Sequence, residues 1–341
     1  MFNKPLNGIL AAIGNTPLTE LSSLMPDFGG RVYGKLEFFN PGGSIKDRSA
    51  AAMILEKIES GVLEPGRSVV VESSSGNLAI GLAQICRYFD LKLICVVDAM
   101  TTEQNLAILR AYDVGLDIVA DPDPLTGEFL SVRKRRVRQL VETTPYAYSP
   151  DQYSNPLNPK AHEHTMAEIA AALDGQVDYL FAATSTTGTL TGCANYIRKN
   201  GLSTTVVAVD AIGSVLYGSE PARRLIPGHG ASVAPVLLDR SLPDRVVHVS
   251  DLECVVGCRR LVHREAILAG GSSGATVAAL GILREEIADG ATCVLIFPDG
   301  GDRYVDTVYS DAWVGDHFGE VAHLWKNDIE PQPGPSPVTH H

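Results

Sequence analysis

The sequence predicts an α/β protein whose strands are mostly parallel and covered by helices on both faces. Two observations carry that expectation. Apolar runs of strand length recur along the chain, as strands buried on both faces require. Each run is followed by a turn signal and then by a segment with helical spacing, the order of repeated strand–loop–helix units. With 341 residues, the chain is long enough for roughly two domains or one large fused unit.

In chain order, the first run is Ser68–Val71, followed by SSSGN and the amphipathic LAIGLAQICRYF. Leu91–Val97 and Asp117–Ala120 come next. Tyr179–Ala183 leads into TSTTGT and then LTGCANYIRKN, and Val206–Val209 and Cys293–Phe297 complete the set. Ligands in such folds sit beyond the carboxyl ends of strands, on loops running into helices. The informative loops are therefore those directly after Val71, Ala183 and Phe297. Between Asp121 and Arg138 a Pro/Asp turn gives way to the basic VRKRRVRQL. That segment is either a solvated helix face or a helix that turns one arginine toward the cleft. The last dozen residues, EPQPGPSPVTHH, read as a flexible tail.

Composition excludes some functions. Lys and Arg number 28 against 40 Asp and Glu, a formal charge of -12. Such acidity argues against nucleic acid or an anionic membrane as the main partner. No apolar run approaches the roughly 18–20 residues of a membrane span. The opening MFNKPLNGILAAIGNTPL has only a short apolar patch at Gly8–Ile13 and no basic lead, so no export signal is read and the cytosol is expected. The six cysteines, at 86, 95, 193, 254, 258 and 293, are scattered, mostly in apolar runs. They read as buried reduced thiols, and no metal is expected.

Five stretches carry chemistry. In NPGGSIKDR, Asn40–Arg48, glycines and a serine lead into a helix with Lys46 in its first turn. A Schiff-base lysine must lose its proton, which desolvation and the positive end of a helix promote; alone, Lys46 also reads as a surface lysine. In ESSSGN, Glu72–Asn77, hydroxyls and amides at a helix start suit a carboxylate, or plain N-capping. In STTGT, Ser185–Thr189, successive N–H groups and hydroxyls suit a dianionic phosphate, or again a cap. No nucleotide-loop lysine accompanies it, so ATP or GTP is not supported. AGGSSGAT at Ala269–Thr276 and FPDGGDRY at Phe297–Tyr304 read alone as tight turns.

Taken in order, these runs resemble the fold-type II pyridoxal phosphate enzymes of the cysteine synthase and cystathionine β-synthase family. GNTPL at Gly14–Leu18, KLEFFNPGGSIKDR at Lys35–Arg48, ESSSGN, QYSNPLNPKAH at Gln152–His162, STTGTLTG, GGSSGAT and PDGGDRY carry the resemblance, which reaches to Trp313. It implies a tryptophan synthase β-like fold of two open, twisted, mostly parallel sheets flanked by helices. It implies that Lys46 holds pyridoxal 5'-phosphate as a Schiff base and is the catalytic base. Asn77 would bond the cofactor's 3'-oxygen, Ser185, Thr186, Thr187, Gly188 and Thr189 its phosphate, and Ser272 its pyridine nitrogen. Ser74, Ser75, Asn77 and Gln152 would grip the substrate α-carboxylate. A hydroxyl at the pyridine nitrogen does not force protonation, and the weaker electron sink favours β-elimination and β-replacement. The resemblance further implies a large domain of residues 1–38 plus 158–326, a small mobile substrate-binding domain of 39–157, a tail at 327–341, and a homodimer.

Cysteine synthases usually read GTGGT, EPTSGN and QF where this chain reads STTGT, ESSSGN and Gln152–Tyr153. The added hydroxyls point to a second substrate more polar than sulfide. With VDAIGSVLYG at Val209–Gly218, PGHGAS at Pro227–Ser232, GCRRL at Gly257–Leu261 and DRYVDTVYSDAW at Asp302–Trp313, the chain resembles a branch of the family that joins O-phospho-L-serine to L-glutamate. Phosphate leaves, and the product is a 2,3-diaminopropionate precursor for siderophores or related natural products. Arg133, Tyr153 and Ser185 are the expected donors to glutamate's carboxylates, with Arg135, Arg136 and Arg138 competing for the place of Arg133. The rivals are a cysteine synthase or cystathionine β-synthase with a sulfur nucleophile, and a silent scaffold, against which Lys46, Asn77 and Ser272 together argue.

Overall fold

The computed structural model describes residues 8–124, 127 and 129–326. Its larger sheet has six strands, in the order β1 (Leu18–Glu20), β2 (Arg31–Leu36), β10 (Thr292–Phe297), β7 (Tyr179–Ala183), β8 (Thr205–Ala211) and β9 (Arg245–Val249). The smaller has four, in the order β5 (Gly115–Val119), β4 (Lys92–Asp98), β3 (Val69–Glu72) and β6 (Ala147–Tyr148). Among the described strands only β1 and β2 pair antiparallel. This is the α/β class expected, with two mostly parallel sheets.

β3 and β10 are buried at every position, and their sequences VVVE and TCVLIF are correspondingly almost free of polar residues. Side chains alternate across a strand, so β10 feeds two cores. Val294 and Ile296 pack with Met166, Ile169 and Leu190 of α5 (Leu157–Ala172) and α6 (Gly188–Lys199). Cys293, Leu295 and Phe297 pack on the other face with α7 (Asp251–Glu265) and α8 (Gly271–Leu283). A capping box between Ser250 and Glu253 sets where α7 begins. Against the smaller sheet lie α1 (Lys46–Glu59), α2 (Asn77–Tyr88) and α3 (Glu103–Ala111), through Met53, Ile54, Leu82, Ile85 and Leu109. Val137 of α4 (Phe129–Thr143) covers its other face. The short α9 (Asp311–Phe318) and α10 (His323–Lys326) close the larger core with Val314 and Trp325.

All six predicted strands are present, with ends moved by at most two residues. β1, β2, β6 and β9 were not predicted. β1 and β6 are very short, and β9 is an edge strand that exposes its first two residues. β2, RVYGKL, carries no clean apolar run, yet Lys35 is buried in it because its Nζ donates to Glu168 Oε2 at 2.6 Å and to Thr16 O at 2.7 Å. The Gly8–Ile13 patch contains a short 3-10 turn, Ile9–Ala12. All six cysteines are buried and free. The tail read at 327–341 lies outside the described residues. No helix among those described is long and apolar enough to cross a membrane.

Candidate active site

Three parallel strands deliver their carboxyl-end loops to one cavity. β3 passes through Ser73–Gly76 into α2, β7 through residues 184–187 into α6, and β10 into Pro298 and Asp299. These are the loops singled out from the sequence. Lys46 joins them from the start of α1, Ser272 from the first turn of α8, Arg133 from α4, and Gln152 and Tyr153 from beyond β6. The cavity measures about 270 Å³, and every predicted site residue lines it.

Lys46 opens α1, its backbone N–H donating to Ser44 Oγ at 3.2 Å. Burial penalises its charged form and lowers its pKa from 10.5 to about 8, with the Asp299 carboxylate opposing. Two residues on, Arg48 leaves the helix on another side. It donates to Glu37 Oε2 at 2.7 Å and to Glu168 Oε1 at 2.6 Å. Lys35 shares Glu168, so this ionic network binds the start of α1 to β2 and α5.

The Asn77 amide is already oriented. Nδ2 donates to Asp299 Oδ2 at 2.8 Å, and Oδ1 accepts from Arg303. Tyr304 also donates to Asp299 Oδ2, at 2.8 Å, while Asp299 Oδ1 is buried without a partner. One Asn77 N–H is left for the cavity. The Ser74 hydroxyl accepts the Ala79 N–H at 3.2 Å, so at Ser74 the capping reading of ESSSGN holds alongside the lining one. Behind this loop Glu72 is buried and accepts the Ser73 N–H at 2.8 Å. Desolvation pushes its carboxyl up to about 7, against the pull of the Ser73 amide.

At the other end, Thr187 caps α6 in the left-handed region at φ 64°. Its hydroxyl is buried with no hydrogen-bond partner. A Cβ on Gly188 would stand 2.4 Å from Asn158 Oδ1, so only glycine lets the loop close there. Hydroxyls from Ser185, Thr186, Thr187 and Thr189, set at a helix N terminus, are a donor set for an anion.

Both readings of VRKRRVRQL are partly realised. Arg135 and Arg136 pair outward with Asp123 and Asp117, at 3.1 and 2.8 Å. Arg138 lines a separate cavity behind Glu72. Arg133 is the arginine facing the site; Asp98 Oδ2 lies 3.4 Å from its Nη1, and its Nε is buried and unpartnered. Tyr153 stands near it, under Lys134 at 4.5 Å from the ring centroid. Burial raises the Tyr153 phenol pKa, and Arg133 pulls it back.

The arrangement combines a desolvated amine, an anion-binding helix start and a cationic flank. Such a site can hold a phosphorylated cofactor and move a proton on an amino acid. No cluster that could hold a metal is present among the described residues. The sequence reading missed Asp299 and Tyr304, although both lie in the quoted FPDGGDRY, and Pro227 and Gly228 of PGHGAS. A carboxylate just past a strand end was the available signal.

The profile of a family described as pyridoxal-phosphate dependent enzymes matches residues 9–299. An N-(2-amino-2-carboxyethyl)-L-glutamate synthase from Ralstonia nicotianae is 45% identical over 307 residues, covering 90% of each chain. Among solved structures, an O-ureido-L-serine synthase is similar with a TM-score of 0.83 and 31% identity, over 93% of this chain and 97% of that one. An O-acetylserine dependent cystathionine β-synthase from Helicobacter pylori matches with a TM-score of 0.83 and 29% identity, over 90% of this chain and 100% of that one.

Proposed function

The chain belongs to the pyridoxal-phosphate dependent enzymes, and on that footing we propose that it joins O-phospho-L-serine to L-glutamate, giving N-(2-amino-2-carboxyethyl)-L-glutamate and phosphate. The observation that carries this is the 45% identity, over 90% of both chains, to a synthase of that name. The product would serve as a 2,3-diaminopropionate precursor for a siderophore or related natural product.

The residues present fit the cofactor. Thr187 keeps a buried, unpartnered hydroxyl at the start of α6, where Ser185, Thr186 and Thr189 line the same cavity. We assign residues 185–189 to the phosphate, Lys46 to the covalent link, the free N–H of Asn77 to the 3'-oxygen and Ser272 to the ring nitrogen. When bound, the cofactor supplies an aldehyde for amine exchange and an electron sink for the α-carbon.

The chain's own groups do the rest. Ser74, Ser75, the backbone N–H of Asn77 at the start of α2, and Gln152 orient the phosphoserine carboxylate. Lys46, freed as an amine, takes the proton from the α-carbon as phosphate leaves the β-carbon. Arg133, Tyr153 and Ser185 hold the glutamate carboxylates so that its amine faces the β-carbon, where the new C–N bond forms. Lys46 then returns the proton. Residues 39–157 act as the moving part that closes over both substrates and excludes water.

Incubating the holoenzyme with both amino acids should give the condensed product by mass spectrometry, with phosphate in equal amount. Turnover with sulfide or homocysteine but not with glutamate would establish a sulfur-using synthase instead. Arg133→Ala should raise the glutamate KM roughly 10- to 100-fold, the range for hydrogen bonds to charged groups. An unchanged KM removes Arg133 from this role.

A further inference from the structure

The hydrogen bonds behind the cavity run in one direction, and a single backbone carbonyl sets it. Asn158 of α5 is wholly buried. Its amide lies 2.9 Å from Gln152 O, 3.3 Å from Thr186 Oγ1 and 2.8 Å from Ser49 Oγ. A backbone carbonyl can only accept, so the atom facing Gln152 O is Nδ2, and the orientation of the amide follows. The second Nδ2 hydrogen goes to Thr186. Oδ1 then faces Ser49, whose hydroxyl gives it its one proton. Ser49 Oγ is also 3.0 Å from His162 Nε2. With its own proton committed, Ser49 accepts there, so Nε2 carries the hydrogen. His162 Nδ1 is left to accept from the Thr165 hydroxyl, 3.3 Å away. Ser49, His162 and Thr165 are all fully buried, so solvent offers no alternative partners. At the far end, the Thr186 hydroxyl accepts from Asn158 and keeps its own proton, and Thr186 lines the cavity.

We propose that Asn158 is a positioning residue that makes Thr186 a hydrogen-bond donor to the anion held by residues 185–189 and ties that loop to Gln152. The anion is a phosphate dianion, and this part rests on the reading of the site given above. Asn158 touches neither substrate nor cofactor. It acts through two residues that do, and it sets the distance between the phosphate end and the carboxylate end of the site.

Two measurements test it. The first is the dissociation constant of pyridoxal phosphate, titrated by fluorescence on the full chain. Thr186→Val and Asn158→Ala should each weaken binding roughly 10- to 100-fold, while Thr186→Ser, which keeps the hydroxyl, should restore it nearly to the wild-type value. The double variant should bind about as well as the weaker single one, because both remove the same interaction. Additive losses overturn the proposal. The second is the ¹⁵N spectrum of His162 in the full wild-type chain, recorded with and without pyridoxal phosphate, which needs no variant to fold. A ring carrying hydrogen at Nε2 is expected, and a neutral ring protonated at Nδ1 alone, which would make Ser49 donate to His162 and not to Asn158, overturns the chain of donors. A wild-type chain that takes up no pyridoxal phosphate overturns the proposed function instead, and the His162 tautomer then decides the direction of the chain by itself.

Discussion

Lys46→Ala is expected to lower turnover of phosphoserine and glutamate by at least about a hundredfold, the low end of what a positioned acid–base group contributes. The variant should fold normally, since the Lys46 amine takes no part in the ionic network around Arg48. The same amine predicts a pH dependence. Its charged form is disfavoured by burial, and its pKa falls from 10.5 to about 8. Only the neutral amine adds to an aldehyde, so cofactor uptake by cofactor-depleted protein should quicken with rising pH and level off above about 8. A rate still climbing toward 10.5, the ordinary lysine value, would mean that the amine is solvated. Asp299→Asn removes the charge that opposes the shift and should move the midpoint lower still.

The largest stability effect is expected from Arg48→Ala. Glu37 is fully buried and accepts from Arg48 Nε at 2.7 Å and Nη2 at 2.9 Å. Removing one partner leaves an uncompensated charge in the interior, which costs about 3–5 kcal/mol. Urea unfolding of the wild type and the variant measures it, and a change below about 1 kcal/mol, typical of exposed pairs, would show that the network is solvated. Acid should probe the same contacts. Burial alone pushes the Glu168 carboxyl up, but hydrogen bonds from Arg48 and Lys35 override this and hold it at about 2, below the ordinary 4.5. A carboxyl depressed by folding stabilises above its ordinary pKa, so this contribution is present above pH 4.5 and is lost as pH falls toward 2. In Arg48→Ala that acid sensitivity should shrink.

The parts of this protein legible in its sequence are those made by neighbours in the chain. β7 and β10 are recognisable because strands covered on both faces need consecutive apolar residues. Lys46, the 73–77 loop and residues 185–189 are recognisable because each lies in or beside the first turn of a helix, where exposed N–H groups and hydroxyls follow one another in order, whereas Ser272, in a run that reads alone as a tight turn, is reached only through the family resemblance. β2 was not recognisable, because Lys35 is buried there by reaching the Thr16 carbonyl and Glu168, the latter 133 residues away. The rotation of α4, which turns Arg133 and not Arg135 or Arg136 to the cavity, depends on Asp117 and Asp123 and on the packing of Val137 against Val69, Val71 and Val96.

By itself, then, the order of residues determined which chemical groups this protein possesses and which helix starts and strand ends present them. The tertiary structure alone decided which of those groups meet. Asn77 finds Asp299, Asn158 finds Thr186 and Gln152, and Arg48 finds Glu37 and Glu168. The reason is physical. A cap or a buried strand is stabilised by contacts a few residues long, whereas a desolvated charge or amide takes its partner from whatever distant segment the packed core brings within hydrogen-bonding distance.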